Sequence, residues 1–477
     1  MAEARREPLF SAAAAAAAAG ALLAGPGEAR IDAVAIDSRQ VRPGSLFVAL
    51  PGERADGHDY IAAAVAAGAS AILAEAGRRA SVEAALAASG GSRGAALLFA
   101  PKPLAALQAL AREHRRRFPG LVRVGITGSS GKTTTKECAA AAIGRSRSVV
   151  MNQGNLNSDI GLSLSMFSLA PGQEVGVFEM GMNRRGEMAE LAEVYEPDIA
   201  LITNVGTAHI GILGTRDAIA REKKQVFSRF DGKQAGFVWE DDDYRAFLEE
   251  GMRGEALEFG PRSTRGFRGA RELGLEGYEL DWEGLRFPFP LAGRHNLLDG
   301  IAAMALASRL GASARDLAEG LSSVRPLFGR SEVIKGELTL VRDCYNANPE
   351  SMEAAMGLCD ELAWEGRRVY VLGSMLELGS ESEAAHRAAG ARAGASKAAA
   401  LFFFGEEARS AFEAARASGF RGLLIYETDI DKLRGALASY AGPGDLVLLK
   451  ASKGMALWRA AEGLPGLPPG AAGRAEG

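Results

Sequence analysis

Val124-Gly125-Ile126-Thr127-Gly128-Ser129-Ser130-Gly131-Lys132-Thr133-Thr134 reads as an apolar strand that runs into a glycine-rich turn and then into a helix. That succession makes a phosphate loop. Its glycines let backbone N–H groups converge on phosphate oxygens, the helix adds its positive N-terminus, Lys132 reaches the outer phosphates and the Thr133 hydroxyl suits Mg2+. Ile126 stands where the common eight-residue form has Gly, so the loop is the shorter G-x-x-G-K-T version. Directly after an apolar strand, the segment favours a nucleotide site over a helix-capping turn. Gly128, Ser129, Ser130, Gly131, Lys132, Thr133 and Thr134 are therefore expected to bind ATP.

Downstream, Val175-Gly176-Val177-Phe178 and Asp198-Ile199-Ala200-Leu201-Ile202 are near-continuous apolar strands alternating with helices, the pattern of a parallel sheet covered on both faces. Upstream, from Ile31 to about Gly120, short strands at 44–50 and 71–73 alternate with an Ala-rich helix at 60–69, giving a small α/β unit. The basic run from Arg112 to Arg117 fits the solvated last turn of a helix, where cations suit the dipole, and Pro119-Gly120 fits a linker. Past a helix from about Asn296 to Leu310, strands at 368–372, 401–404 and 446–449 mark a third α/β region. The expected architecture is α/β in three domains, 1–120, 121–322 and 323–463, followed by a Gly- and Pro-containing tail, 464–477, that reads as disordered.

Composition narrows the class. At roughly 150 residues per domain, 477 residues suit about three domains. Lys and Arg number 55 against 59 Asp and Glu, a net charge of −4, which gives no electrostatic footprint for nucleic acid or anionic membrane. The three cysteines, Cys138, Cys344 and Cys359, show neither metal-ligand spacing nor a dense disulfide pattern, which fits a reducing cytoplasm. Arg5 and Arg6 ahead of the Ala12–Ala19 run superficially imitate a secretory signal; Glu3, Glu7 and Pro26 favour an Ala-rich helix ending near 20–27 instead. No other apolar stretch approaches the roughly 20 residues of a membrane span, so no integral membrane association is expected.

Open α/β sheets hold ligands beyond the carboxyl ends of their strands. There the chain carries Glu179-Met180-Gly181-Met182-Asn183 and Thr203-Asn204-Val205-Gly206-Thr207-Ala208-His209. Glu179 suits a hard-oxygen ligand for Mg2+. The amide-rich run from Asn152 to Gly161 has too much Gly and Asn for a core element and reads as a loop offering hydrogen bonds, with Asn155 and Asn157 at its centre. Ala220-Arg221-Glu222-Lys223-Lys224-Gln225-Val226-Phe227, on its own, reads as an amphipathic helix with a solvated charged face.

Taken together, these segments resemble the Mur ligase family, the ATP-dependent amide-forming enzymes of peptidoglycan precursor synthesis, from about Asp37 to about Trp458. Further motifs carry the resemblance: Asp37-Ser38-Arg39, Asp56-Gly57-His58-Asp59-Tyr60, Arg294-His295-Asn296, Asp343-Cys344-Tyr345-Asn346-Ala347-Asn348-Pro349 and Leu372-Gly373-Ser374-Met375-Leu376-Glu377-Leu378-Gly379. The Tyr-Asn-Ala-Asn-Pro wording is most similar to that of members adding the dipeptide D-alanyl-D-alanine to UDP-N-acetylmuramoyl-tripeptide. The resemblance implies a UDP-sugar-binding domain, a central ATP-binding domain with a parallel sheet, and a Rossmann-like C-terminal domain that closes over the nucleotide. It implies Ser38 and Arg39 at the uridine diphosphate, Asn155, Asn157, Lys450 and Ser452 toward substrate, and Asn296, Arg330, Asp343, Asn346 and Asn348 at ATP. Lys132, Glu179, His209 and Lys223 would form the catalytic set. Thr133 and Glu179 would hold one Mg2+, and His209 with a CO2-derived carbamate on Lys223 a second. Lys224 leaves a one-residue ambiguity that the spacing to Phe227 resolves toward Lys223. The implied protein is a monomer with no nucleic-acid partner.

Three positions depart from the family wording: Ser374 for Asp, Lys453 for Arg, and Arg184-Arg185 where His-Pro or similar is frequent. A ligase adding the third amino acid would carry an Asp-Asn-Pro-Arg motif, absent here. A phosphate-loop switch protein would carry an Asn-Lys-x-Asp guanine-reading segment, also absent. Intact Lys132, Glu179, His209 and Lys223 argue against a catalytically silent binding protein.

Overall fold

Ser11 opens the Ala-rich run as a helix, α1 (Ala12–Ala19), by accepting from the Ala14 N–H, and Gly20 closes it at φ 62. The computed structural model describes residues 7–52, 55–92 and 94–468. Two compact units emerge: one takes in the chain up to Gly125 with Ser148–Met182 and Gly186–Asp198, the other Ile126–Arg147, Asn183–Arg185 and the chain from Ile199 onward.

In the first unit, strands β1 (Leu22–Ala24), β2 (Ala33–Ala35), β3 (Ser45–Val48), β4 (Ala71–Glu75) and β5 (Ala96–Ala100) form a sheet of order β1-β5-β4-β3-β2. Only β1 runs antiparallel to its neighbour. One face packs on α1 and helix α2 (Pro103–Arg116) through Leu46, Leu73, Leu107 and Leu110; the other packs through Phe47, Ile61, Val65 and Leu86. Two buried faces explain why these strands are continuous apolar runs. The end of α2 departs from the expected solvated turn. Arg115 is buried, donating to the Tyr195 carbonyl at 2.7 Å and pairing with Glu196 at 2.8 Å, and His114 is buried beside it. A buried guanidinium persists because it is paired and hydrogen-bonded.

Strand β6 (Val122–Thr127) runs from the first unit into the second. Parallel strands β7 (Val149–Met151) and β8 (Val175–Glu179) belong to the first unit; β9 (Ile199–Ile202), β10 (Ala235–Trp239) and β11 (Glu255–Phe259), also parallel, belong to the second. In the second unit, helix α3 (Lys132–Ile143) follows the glycine-rich turn and packs against α4 (Arg294–Arg309), buried over most of its length.

Strands β12 (Glu332–Lys335), β13 (Thr339–Asp343), β14 (Arg368–Gly373), β15 (Ala400–Phe404), β16 (Leu423–Glu427) and β17 (Leu446–Lys450) form a further sheet, order β12-β13-β17-β14-β15-β16, antiparallel only at β12. Its two apolar faces are both covered. The expected disordered tail is corrected at its start: Leu464 is buried, Leu467 packs on the same cluster, and the Glu337 N–H donates to the Gly466 carbonyl at 2.7 Å. Apolar burial of those two leucines outweighs the Gly and Pro between them. Residues 469–477 of that expected tail lie outside the described residues.

Candidate active site

The phosphate loop is shaped by two glycines that nothing larger could replace. A Cβ at Gly128, φ 150, would lie 1.8 Å from Thr203 Oγ1, and one at Gly131, φ 79, would lie 2.1 Å from Asp299 Oδ1. Lys132 Nζ donates to the Gly128 carbonyl at 2.8 Å, which holds the ammonium over the loop. The loop is also tied to the segment after β9: Ser129 N–H donates to the Asn204 carbonyl, Ser130 N–H to Asn204 Oδ1, and Thr203 Oγ1 to the Ser130 carbonyl at 2.6 Å. The N-cap of α3 is Gly131, φ 79, which has no side chain to offer the first turn.

Beyond Asn204, three successive N–H groups have side-chain acceptors from three different elements. Val205 donates to Asp242 Oδ2 at 2.8 Å, Gly206 to Ser129 Oγ at 2.8 Å, and Thr207 to Glu350 Oε1 at 2.9 Å. His209 follows in the left-handed region, φ 67, with Nδ1 3.2 Å from Glu377 Oε2. The His209 contact holds the Glu377 carboxyl below the usual carboxylate range.

Lys223 is 1 % exposed on helix α5 (Arg216–Lys224), and burial, then the nearby Lys132 cation, pushes its amine well below the ordinary lysine range. The solvated charged face read from the residues alone is thus corrected, since Glu222 is buried too. Lys224 instead donates to the Phe247 carbonyl and to the Glu250 carbonyl at 2.7 Å.

In the C-terminal region, Asp343 and Asn346 of the expected nucleotide-facing residues meet Lys450 at the ends of β13 and β17. Asp343 pairs with Lys450 at 2.9 Å and accepts from the Ser331 N–H, Lys450 donates to the Asn346 carbonyl at 2.8 Å, and the Arg330 guanidinium lies 4.0 Å over the Tyr345 ring. Asn348 caps helix α6 (Pro349–Glu361), accepting from Ser351 N–H at 2.8 Å, and Asn296 donates to the Ala292 carbonyl at 2.7 Å. Lys450 and Ser452, expected toward substrate, also bond within the protein. Both are buried, and Ser452 Oγ accepts from the Leu376 N–H at 2.9 Å, so their polar atoms organise the C-terminal loops.

In the first unit, Glu179 at the end of β8 accepts from Asn157 Nδ2 at 2.7 Å, and Asn152 clasps the Glu179 backbone from both sides, at 2.9 and 3.0 Å. The amides of the 152–161 run thus hold a carboxylate in place. The run is a loop only to Ser158, which caps helix α7 (Asp159–Met166); Asn155 is exposed. Asp37 accepts from the Arg39 backbone and guanidinium, which lowers its carboxyl to about 2, while the Arg39 side chain is 87 % exposed next to Ser38.

Models of known families match the chain in three stretches: the Mur ligase family catalytic domain at 30–114, the Mur ligase middle domain at 126–307, and the Mur ligase glutamate ligase domain at 329–453. A UDP-N-acetylmuramoyl-tripeptide--D-alanyl-D-alanine ligase of Treponema pallidum is 42 % identical over 90 % of this chain and 92 % of its own. The chain belongs to the Mur ligase family. The ligase of the same name from Bacillus subtilis is 32 % identical, covering 90 % and 92 %. Among solved structures, MurF from Acinetobacter baumannii has a TM-score of 0.84 at 27 % identity, covering 95 % of this chain and 98 % of that one. MurF from Thermotoga maritima, in complex with ADP, has 0.76 at 29 %, covering 90 % and 96 %.

Two departures from the Mur ligase wording have a structural reading. Ser374 is fully buried with its N–H on the Phe404 carbonyl, a place where a carboxylate would lose its solvation. Lys453 keeps a cation 5.3 Å over the Tyr345 ring. Nothing described explains Arg184. Asp242, Asp299, Glu350 and Glu377 are the residues that sequence reasoning left without a role; the last two sit inside quoted motifs or beside them, whereas Asp242 and Asp299 carry no local signal.

Proposed function

We infer that the chain is an ATP-dependent ligase that joins D-alanyl-D-alanine to UDP-N-acetylmuramoyl-tripeptide in peptidoglycan precursor synthesis, giving the pentapeptide, ADP and phosphate. The observation that carries this reading is the near-full-length match, 42 % identical over 90 % of the chain, to a ligase of that name. In the reaction, the tripeptide carboxylate attacks the γ-phosphorus of ATP, ADP departs, and an acyl phosphate remains. The amine of the dipeptide adds to its carbonyl, and phosphate leaves. The protein contributes positioning and charge neutralisation, with no covalent nucleophile.

Lys132 and the loop amides steady the β- and γ-phosphates. Mg2+ would offset phosphate charge, and each expected ligand has the chemistry to hold it: the buried Thr133 hydroxyl, the Asn157-held Glu179 carboxylate, His209, and Lys223 as its carbamate. Carbamylation needs a neutral amine to attack CO2 and release a proton, and the burial of Lys223 disfavours its charged form. Glu377 lies 3.2 Å from Nδ1 of His209, where its carboxylate would help to orient the ring. Arg330, Asp343, Asn346, Asn348 and Asn296 bind nucleotide, Ser38 and Arg39 the uridine diphosphate, and Asn155 the substrate side of its loop. The domains divide at 120/121 and 322/323. The protein acts as a monomer in the cytoplasm, a placement supported by three buried free cysteines; among the described residues no helix is long and apolar enough to cross a membrane.

The test mixes purified protein with ATP, Mg2+, UDP-muramoyl-tripeptide and the dipeptide, using tripeptides ending in meso-diaminopimelate, lysine or ornithine. Pentapeptide with stoichiometric phosphate is expected from at least one; none from any overturns the reading. In the same assay Lys223→Ala is expected to be inactive and partly rescued by short carboxylates, and full activity would exclude the carbamate.

A further inference from the structure

Residues 203–207 join two parts of the second unit that the reaction must coordinate. On one side the segment holds the phosphate loop, through Asn204 on Ser129 and Ser130 and through Gly206 N–H on Ser129 Oγ. On the other, Glu350, in the first turn of α6, takes Thr207 with both carboxylate oxygens, Oε1 from the N–H and Oε2 from Oγ1, each at 2.9 Å. Gly206 permits this approach: a Cβ there would come within 3.0 to 3.2 Å of the Glu350 carboxyl atoms. Two residues on, the C-terminal region touches the same stretch again, with Glu377 at His209 Nδ1 and the Glu377 carbonyl accepting the Gly211 N–H at 3.1 Å. Asp242 fixes the near end from below by accepting the Val205 N–H, and the Arg216 guanidinium donates to the Val205 carbonyl at 2.9 Å.

We propose that Glu350 is a positioning residue: through its two-oxygen grip on Thr207 it sets the segment that carries His209, so that α6 must be seated before that segment reaches its working shape. Among the described residues Glu350 hydrogen-bonds Thr207 and no residue of the phosphate loop. Its loss therefore acts on turnover and leaves ATP capture to the loop itself. A charge-assisted pair of hydrogen bonds at a partly solvated place is worth about 1 kcal/mol, or about fivefold in a rate. The role given to Glu350 rests on the ligase activity proposed above, and the parent enzyme, run in every assay, tests that activity separately.

The experiment compares full-length parent, Glu350→Gln, Thr207→Val, Thr207→Ser and the double variant E350Q/T207V by steady-state kinetics with all three substrates, with melting temperature as a folding control. Expected are kcat values lowered about fivefold in E350Q and in T207V, a KM for ATP within about twofold of the parent, near-parent kcat in T207S, which keeps both donors, and a double variant no worse than E350Q alone. Independent, multiplying effects in the double variant, an unchanged kcat in E350Q, or a KM for ATP that rises while kcat holds would each overturn the proposal. Should E350Q fail to fold, the T207V and T207S pair decides alone: equal kcat values overturn it.

Discussion

His114 shows how a single residue can be misread from its neighbours. In the basic run at the end of α2 it looks like one more solvated cation, yet it is 2 % exposed, ringed by Phe10, Phe118 and Phe167, with Nε2 3.2 Å from the Leu169 carbonyl and no partner at Nδ1. A carbonyl can only accept, so the proton of the neutral ring sits on Nε2, and a second proton would place an N–H among aromatic rings. Burial, reinforced by Arg117, pushes its pKa below 6.5. Between the folded and unfolded values the unfolded chain binds the proton and the folded one does not, so stability is present above about pH 6.5 and is lost as pH falls through the folded value. His114→Phe removes that dependence. Urea titrations from about pH 7 to about pH 5 are expected to show the variant gaining on the parent as pH falls; a constant difference would mean the ring is solvated. Lys223 makes the same point with the opposite outcome. Residue chemistry alone gave it a solvated face, and only a whole-chain resemblance singled it out, because burial of an amine leaves no mark on local spacing.

At the scale of elements, what was legible depended on whether the local pattern had one reading. Strands β6, β8, β9, β14, β15 and β17 are apolar runs bounded by glycine or helical stretches, and they fall where the periodicity puts them. Other strands carry no such mark, β5, β13 and β16 among them: Ala96-Leu97-Leu98-Phe99-Ala100 is equally a fragment of buried helix, and β13 ends in Arg342-Asp343, where charge masks the strand. A three-stranded antiparallel meander at Phe267–Glu272, Tyr278–Trp282 and Leu285–Phe289 was also missed, since its first strand is mostly polar and exposed. Motif residues can serve an element as well as a ligand. Asn348, expected at the nucleotide, forms a reciprocal cap with Ser351 on α6. Asn348→Ala is accordingly expected to lower stability by about 1 kcal/mol, read as a shifted urea midpoint at unchanged slope. An unchanged midpoint would leave the side chain a purely binding role.

For the molecule as a whole, the phosphate loop fixed the α/β class and the order of motifs along 477 residues fixed the family, because each motif belongs to a different strand end and chance rarely repeats all of them. What the sequence could not show is which polar side chains meet a ligand and which hold one another. Asn152, Asn157, Lys450 and Ser452 are all motif residues, and each bonds within the protein. Such residues hold the loops that frame the site. Their replacement is expected to cost activity through those loops.

The three successive amides at Val205, Gly206 and Thr207 turn this architecture into a gauge. Their acceptors, Asp242, Ser129 and Glu350, stand on three separate elements, so hydrogen–deuterium exchange at each proton reports a different event. Val205 reports the opening of the segment's own foundation, Gly206 the phosphate loop, and Thr207 the docking of α6. Residue-resolved exchange with and without ADP is expected to slow Gly206 most, and uniform slowing of all three would mean that they open as one cooperative unit.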